Sequence, residues 1–345
     1  MEDLIVYESE HQTMFETKTV NDMMKDTANA PDPIALVKNL WNEGEMACLF
    51  AESNVGKSIF AVQIAGKIAE TQKVLYFDCE LDDKQFQGRY THPDTSEMHI
   101  FPENFLRATI APERLREGDF CKNFLDDLEE ETLRIGAKVI ILDNLSYACI
   151  TSEKGDDAGN FMLRMSQIKK RYGWSILVIA HTPKIQPYSP ITSNDLAGSK
   201  KLFNFFDSVF ALGKTRDEGI RYLKQLKYRA GEFTFSEKEV AVFELIKARD
   251  GNLLLEYLKR GEEVKLLNRP SAYTPEQAAE VMRLTKEGFA IRSISERTGI
   301  SRNTVNRIQH TNSWQNNGTR EEEIDVCFLT YGYEKSSSKS RRPKL

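Results

Sequence analysis

The chain has 345 residues, of which 40% are hydrophobic and 29% charged, and a formal net charge of −5. These are ordinary values for a water-soluble protein with one large core and a small second one. They exclude a membrane-spanning chain, because no apolar run approaches bilayer length. They also exclude a globally basic nucleic-acid coat, so any DNA contact must come from a local surface or an inner channel.

Met1–Thr13 is acidic and polar, unlike a secretory signal, and a cytoplasmic location is the expectation. Residues 1–33 read as a polar lead-in. From 34 to 267, apolar runs MACLFA (46–51), KVLYFDC (73–79), KVIILDN (138–144), SILVIAH (175–181) and SVFAL (208–212) alternate with helical patterns over Ser58–Glu70, Phe120–Ile135 and Asp157–Arg171. Near-continuous apolar strands separated by helices predict an α/β fold, a mostly parallel sheet with helices on both faces. Strand signals at Ile220–Tyr228, Thr234–Phe235 and Val240–Ala248 predict antiparallel additions. A boundary is expected at NRPS, 268–271, then a small all-α domain over 273–311 and a flexible tail over 312–345 that is basic at its end. The five cysteines, Cys48, Cys79, Cys121, Cys149 and Cys327, form no C-x-x-C pair and read as buried reduced thiols.

AESNVGKS, Ala51–Ser58, follows an apolar strand and opens a helix, the setting a P-loop requires. The backbone of Ala51, Glu52, Ser53, Asn54, Val55, Gly56, Lys57, Ser58 and Ile59 forms a cradle for the phosphates of ATP. Lys57 neutralises phosphate charge, and Ser58 offers a hydroxyl to Mg²⁺. Ala51 stands where the pattern has its first glycine, which removes access to strongly positive φ. Asp143 ends an apolar strand downstream and is the candidate carboxylate for Mg²⁺. Glu80, just past the second strand, can polarise an attacking water; a solvated loop residue is the alternative, since Asp82 and Asp83 follow. His181 closes another strand, where a polar side chain can touch the γ-phosphate. Lys227 and Arg229 lie two apart on a strand-like segment and can act as fingers on a neighbour's ATP; from sequence alone, an exposed basic strand face accounts for them better.

Taken in order, AESNVGKS, YFDCEL, VIILDN, VIAHT and LKYR resemble the RecA-like ATPase superfamily, nearest to replicative helicases of the DnaB and plasmid RepA type, AAA-family ATPases of mobile elements. The similarity spans residues 34–254. The resemblance implies that Glu80 is catalytic, that His181 senses the γ-phosphate, and that Lys227 and Arg229 are trans fingers. It also implies a ring, hexameric by analogy, with ATP between subunits. The loop Thr182–Gly198 would then face single-stranded DNA, with Lys184 as a phosphate contact and Tyr188 as a stacking group. The helicase family's N-terminal collar domain has no counterpart here. Three functions are open: a DNA motor of a plasmid or mobilizable element, an ATP-switched DNA-binding regulator of transposition, excision or replication that does not unwind, and, behind these, a nucleotide-binding scaffold with little turnover.

Tyr273–Thr311 carries three short helices. Pro275 begins the first, after Thr274 as cap with Gln277 three residues on, and Gly288 ends it; Ile291, Ile294 and Ile300 are expected inside, Gly299 makes the turn, and Ser301 caps the last helix. The pattern is similar to resolvase and transposase helix-turn-helix domains, which places Arg302, Asn303, Thr304, Asn306 and Arg307 along a recognition helix for duplex DNA. A bundle used only for protein contacts is the alternative.

Overall fold

A computed structural model describes residues 15–145, 155–182, 189–196, 200–267 and 275–311. The chain falls into two units, Met1–Ile34 and Ala35–Leu345. In the first, helix α1 (Val20–Thr27) is capped by Thr19, whose hydroxyl accepts the Asp22 N–H at 3.1 Å; none of its residues is buried.

The second unit opens with a short ribbon, β1 (Ala35–Val37) against β2 (Trp41–Asn42). Its body is a nine-stranded sheet made of β3 (Met46–Ala51), β4 (Val74–Asp78), β5 (Phe105–Thr109), β6 (Val139–Asp143), β7 (Ser175–His181), β8 (Ser208–Lys214), β9 (Ile220–Tyr228), β10 (Val240–Lys247) and β11 (Leu253–Gly261). The order is β11-β10-β9-β8-β3-β7-β6-β4-β5. The strands from β5 to β8 in that order run parallel, and β9, β10 and β11 extend the sheet antiparallel. β3, β4 and β6 are buried at every position, which is why they read as unbroken apolar runs rather than alternating ones.

One core lies between the sheet and α2 (Lys57–Ala69), with Phe60, Ile64, Tyr76, Ile141, Phe210 and Phe243 among its members. The other face packs α4 (Phe120–Ile135), α5 (Gly155–Tyr172) and α6 (Lys200–Phe205) through Leu128, Met165, Trp174, Val178 and Phe206. α2 is buried nearly all round because the antiparallel strands reach it as well. Gln63 donates to Leu255 O at 3.1 Å and accepts from Leu255 N at 3.0 Å, clipping β11 to the helix.

Four sequence expectations change. Thr234–Phe235 is no strand: its two N–H groups donate to the Gln225 side-chain oxygen at 2.6 and 2.7 Å, a local bond that replaces a ladder. β5 and β11 were not expected. β11 reads LLLEYLKRG, and its outer half alternates too weakly to mark a strand. The thiols are less uniformly buried than expected: Cys48 is fully enclosed, but Cys79 and Cys121 are only partly so, and Cys149 and Cys327 lie outside the described residues. The 268–271 boundary and Thr274 lie there too.

The small helical domain consists of α8 (Pro275–Lys286), α9 (Ile291–Thr298) and α10 (Arg302–Thr311), preceded in the chain by α7 (Glu263–Leu266). Val281, Leu284, Ile294, Ile300, Val305 and Ile308 form its core. Gly299 takes φ 68°, the left-handed turn between α9 and α10. The Ser301 hydroxyl accepts the Thr304 N–H at 3.3 Å, capping α10 as expected. Ile291, expected inside, is partly exposed at the start of α9.

Candidate functional site

The loop between β3 and α2 lies at the carboxyl ends of the parallel strands, where α/β sheets bind ligands. Ala51 is the last residue of β3, fully buried and in register with His181 of β7. It is not among the residues with positive φ. The left-handed positions are Asn54 (φ 61°) and Gly56 (φ 114°), so the turn is made downstream and an alanine is accommodated at no conformational cost. Ser53 and Asn54 are exposed, Val55 is buried, and Glu52, Ser58 and Ile59 are half-buried. Lys57 is buried; its ammonium donates to the Ala51 and Glu52 carbonyls at 3.1 and 2.9 Å. Burial lowers its pKa, against the attraction of Asp143, Glu80 and Glu52.

Asp143 ends β6, in register with Asp78 of β4. The Tyr76 hydroxyl donates to its Oδ2 at 2.5 Å. Burial raises the carboxyl pKa, while the contacts from Ser58 and Tyr76 favour the charged form. Oδ1 is buried without a hydrogen-bond partner. A buried carboxylate oxygen left over beside a serine hydroxyl is a donor set suited to Mg²⁺. Among the described residues, no group of three or more His, Cys, Asp and Glu side chains could hold a metal by itself. Ser58 and Asp143 would hold such an ion together with oxygens from outside the protein.

Glu80, Asn144 and His181 converge. The Asn144 amide donates to Glu80 Oε1 and lies 2.9 Å from His181 Nε2, which is 3.0 Å from Glu80 Oε1. Asn144 is a residue that sequence reasoning missed; it stands directly after Asp143, but its role shows only through Glu80 and His181. Glu80 is placed by Asp78, whose Oδ1 accepts the N–H groups of Glu80 and Leu81 at 3.1 and 3.0 Å. Arg107 on β5 bonds Asp78 Oδ2 at 2.9 Å and the Leu81 carbonyl at 2.6 Å, bracing the same turn; helix α3 (Asp83–Arg89) follows, capped by Asp82.

Residues 10–187, just over half of the chain, match the family of AAA domains. The chain belongs to that family. Residues 269–312 match the helix-turn-helix domain of resolvase. No curated protein matches the chain. Among solved structures, a KaiC-like protein from the archaeon Pyrococcus horikoshii OT3 matches with 16% identity and a TM-score of 0.47, over 65% of this chain and 99% of that one. The chain thus joins a RecA-like P-loop ATPase domain to a resolvase-type helix-turn-helix.

Other expected residues lie apart from the loop or outside the described residues. Lys227, in register with Val209 near the start of β8, is level with Cys48 of β3 and so lies toward the amino ends of the parallel strands, away from Ala51. Its ammonium donates to the Phe203 carbonyl at 3.0 Å, and Arg229 pairs with Asp207 at 2.9 Å. Lys184 and Tyr188 lie outside the described residues. Farther along the same loop, the Ile191 N–H donates to Glu263 at 2.9 Å, and Glu263 forms a buried ion pair with Lys224 at 2.6 Å. In the helix-turn-helix, Arg302, Asn303 and Asn306 are exposed along α10, Thr304 is half-buried against Ser301, and Arg307 occupies the same helix. No helix among the described residues is long and apolar enough to cross a membrane.

Proposed function

We propose that the chain is an ATP-hydrolysing DNA motor of the RecA/RepA-like helicase kind, from a plasmid or mobilizable element. In this reading it works as a ring, with six copies as the expected number, and hydrolyses ATP between subunits. The observation that carries this is the meeting of Glu80, Asn144 and His181 at strand ends beside Lys57 and Asp143. A carboxylate held there accepts a proton from water attacking the γ-phosphorus while the bond to the β-phosphate oxygen breaks and ADP leaves. His181 has a buried Nδ1 without a partner, a nitrogen available to a terminal phosphate oxygen. Mg²⁺ held by Ser58 and Asp143 supplies charge neutralisation on the phosphate oxygens. Lys57 leaves its two carbonyls for the same charge.

Assembly is supported by the placement of Lys227 and Arg229. Their own loop lies at the other end of the parallel strands, so they suit a neighbour's. The exposed Arg302, Asn303 and Asn306, with Thr304 and Arg307, then dock the particle on duplex DNA. Lys184 and Tyr188 remain the expected contacts to a single strand.

The pairing of Arg229 with Asp207 of its own chain favours a second reading, an ATP-switched regulator that assembles on DNA without unwinding. A forked duplex separates the two. Strand separation by the purified protein with ATP supports the motor; ATP-dependent assembly on the fork without separation supports the switch.

A further inference from the structure

Sheet order gives the bound nucleotide a direction. Glu80, Asn144 and His181 follow β4, β6 and β7, all on one side of β3. If the loop holds ATP, the terminal phosphate faces them, and the sugar end of the phosphate chain lies toward β8 and β9 on the other side. One cation waits there. Arg221, near the start of β9, is in register with Lys214 at the end of β8, beyond the level of Ala51. Its Nε donates to the Val55 carbonyl, inside the phosphate loop itself, at 2.9 Å, and one Nη donates to the Ile220 carbonyl at 2.8 Å.

The guanidinium is half-buried, and among the described residues no carboxylate forms an ion pair with it. Burial lowers its pKa, with only the more remote Glu218 opposing. A partly desolvated cation without a counter-ion is costly unless an anion arrives. Two of its five N–H donors are spent on carbonyls, and the planar fork keeps others for a phosphate. The nearby Lys214 is already turned to Glu52 at 3.8 Å.

We infer that Arg221 is a nucleotide-binding residue in cis, contacting the α-phosphate end of ATP or ADP while it holds the loop through Val55. The inference rests on the P-loop reading, and its test must fail separately from it. Fluorescent ATP and ADP analogues are titrated into the full chain with Mg²⁺. Arg221→Met keeps the apolar stem without the charge; it should weaken both nucleotides by about tenfold or more, by a similar factor. Arg221→Lys, which keeps a cation and guards against misfolding of the first variant, should lose affinity to an intermediate degree. Unchanged affinity for both nucleotides in Arg221→Met overturns the assignment. So does weakening of ATP alone, which would put the side chain at the γ-phosphate. If the wild-type chain itself binds neither analogue, the P-loop reading fails first.

Discussion

Glu80 is tied to Asn144 and His181, and the turn that carries it is braced by Asp78 and Arg107. A carboxylate placed this firmly is suited to general-base work, so Glu80→Gln should lower kcat by about 10²- to 10⁴-fold with ATP affinity retained, as read by phosphate release and by nucleotide titration. Ala51 makes the opposite case. It is a strand residue, and the loop's positive φ values fall on Asn54 and Gly56. Ala51→Gly should therefore not improve ATP affinity; it should cost about 0.5–1 kcal/mol in chemical denaturation, because glycine weakens a strand end. The expected positions could be picked out locally: Asp143 and His181 end apolar runs, Glu80 follows one closely, and Lys57 and Ser58 stand where the next helix opens. Tyr76, Asn144 and Arg221 could not. Tyr76 is hidden inside an apolar run, Asn144 gains meaning only from two side chains distant in sequence, and Arg221 meets the loop only through a hairpin register that no local pattern states.

Among elements, β9 has the widest reach. Its first turn-side residues touch the phosphate loop through Arg221, its middle buries Lys224 against Glu263, and its end carries Lys227, about 20 Å from Arg221 at the usual strand rise. The Lys224–Glu263 pair is almost fully buried and also receives Tyr222 and the Ile191 N–H, so it joins β9, α7 and the segment after β7. Lys224→Met removes one partner and strands a buried carboxylate. The expected cost is about 3–5 kcal/mol in a denaturation midpoint analysis, recovered only in part by the double change Lys224→Met with Glu263→Leu, which leaves the Tyr222 hydroxyl and the Ile191 N–H without their acceptor. Parallel strands and their helices were readable, because burial on both faces makes unbroken apolar runs and α4 spans the predicted limits. The antiparallel side was readable only in part. β11 faces α2 on one side and solvent on the other, and β5 is a short strand of mixed composition.

At the scale of the molecule, an AAA domain and a resolvase-type helix-turn-helix share one chain. The helical domain has its own six-residue core, and α10 exposes Arg302 and Asn303. Arg302→Ala should weaken duplex binding by about 1–3 kcal/mol and relax base preference at one position, while DNA-independent ATPase stays unchanged. A binding isotherm on matched and altered sites checks this. If Lys227 and Arg229 reach a neighbour's nucleotide, chains carrying Arg229→Ala mixed with chains carrying Lys57→Ala should recover part of the turnover each lacks alone, since some interfaces then hold an intact loop and an intact finger. Two domains and their order could be read from the sequence. How copies assemble could not, because an interface between subunits leaves no periodic mark in a single chain.

The account stands or falls on the turn between β3 and α2 wrapping the terminal phosphates of ATP. Steady-state phosphate release by the full chain with Mg²⁺ and ATP, with and without single-stranded DNA, compared with Lys57→Ala, tests this most directly. The account predicts turnover that rises with DNA in the wild type and is lost in the variant. Equal rates in the two proteins would contradict it.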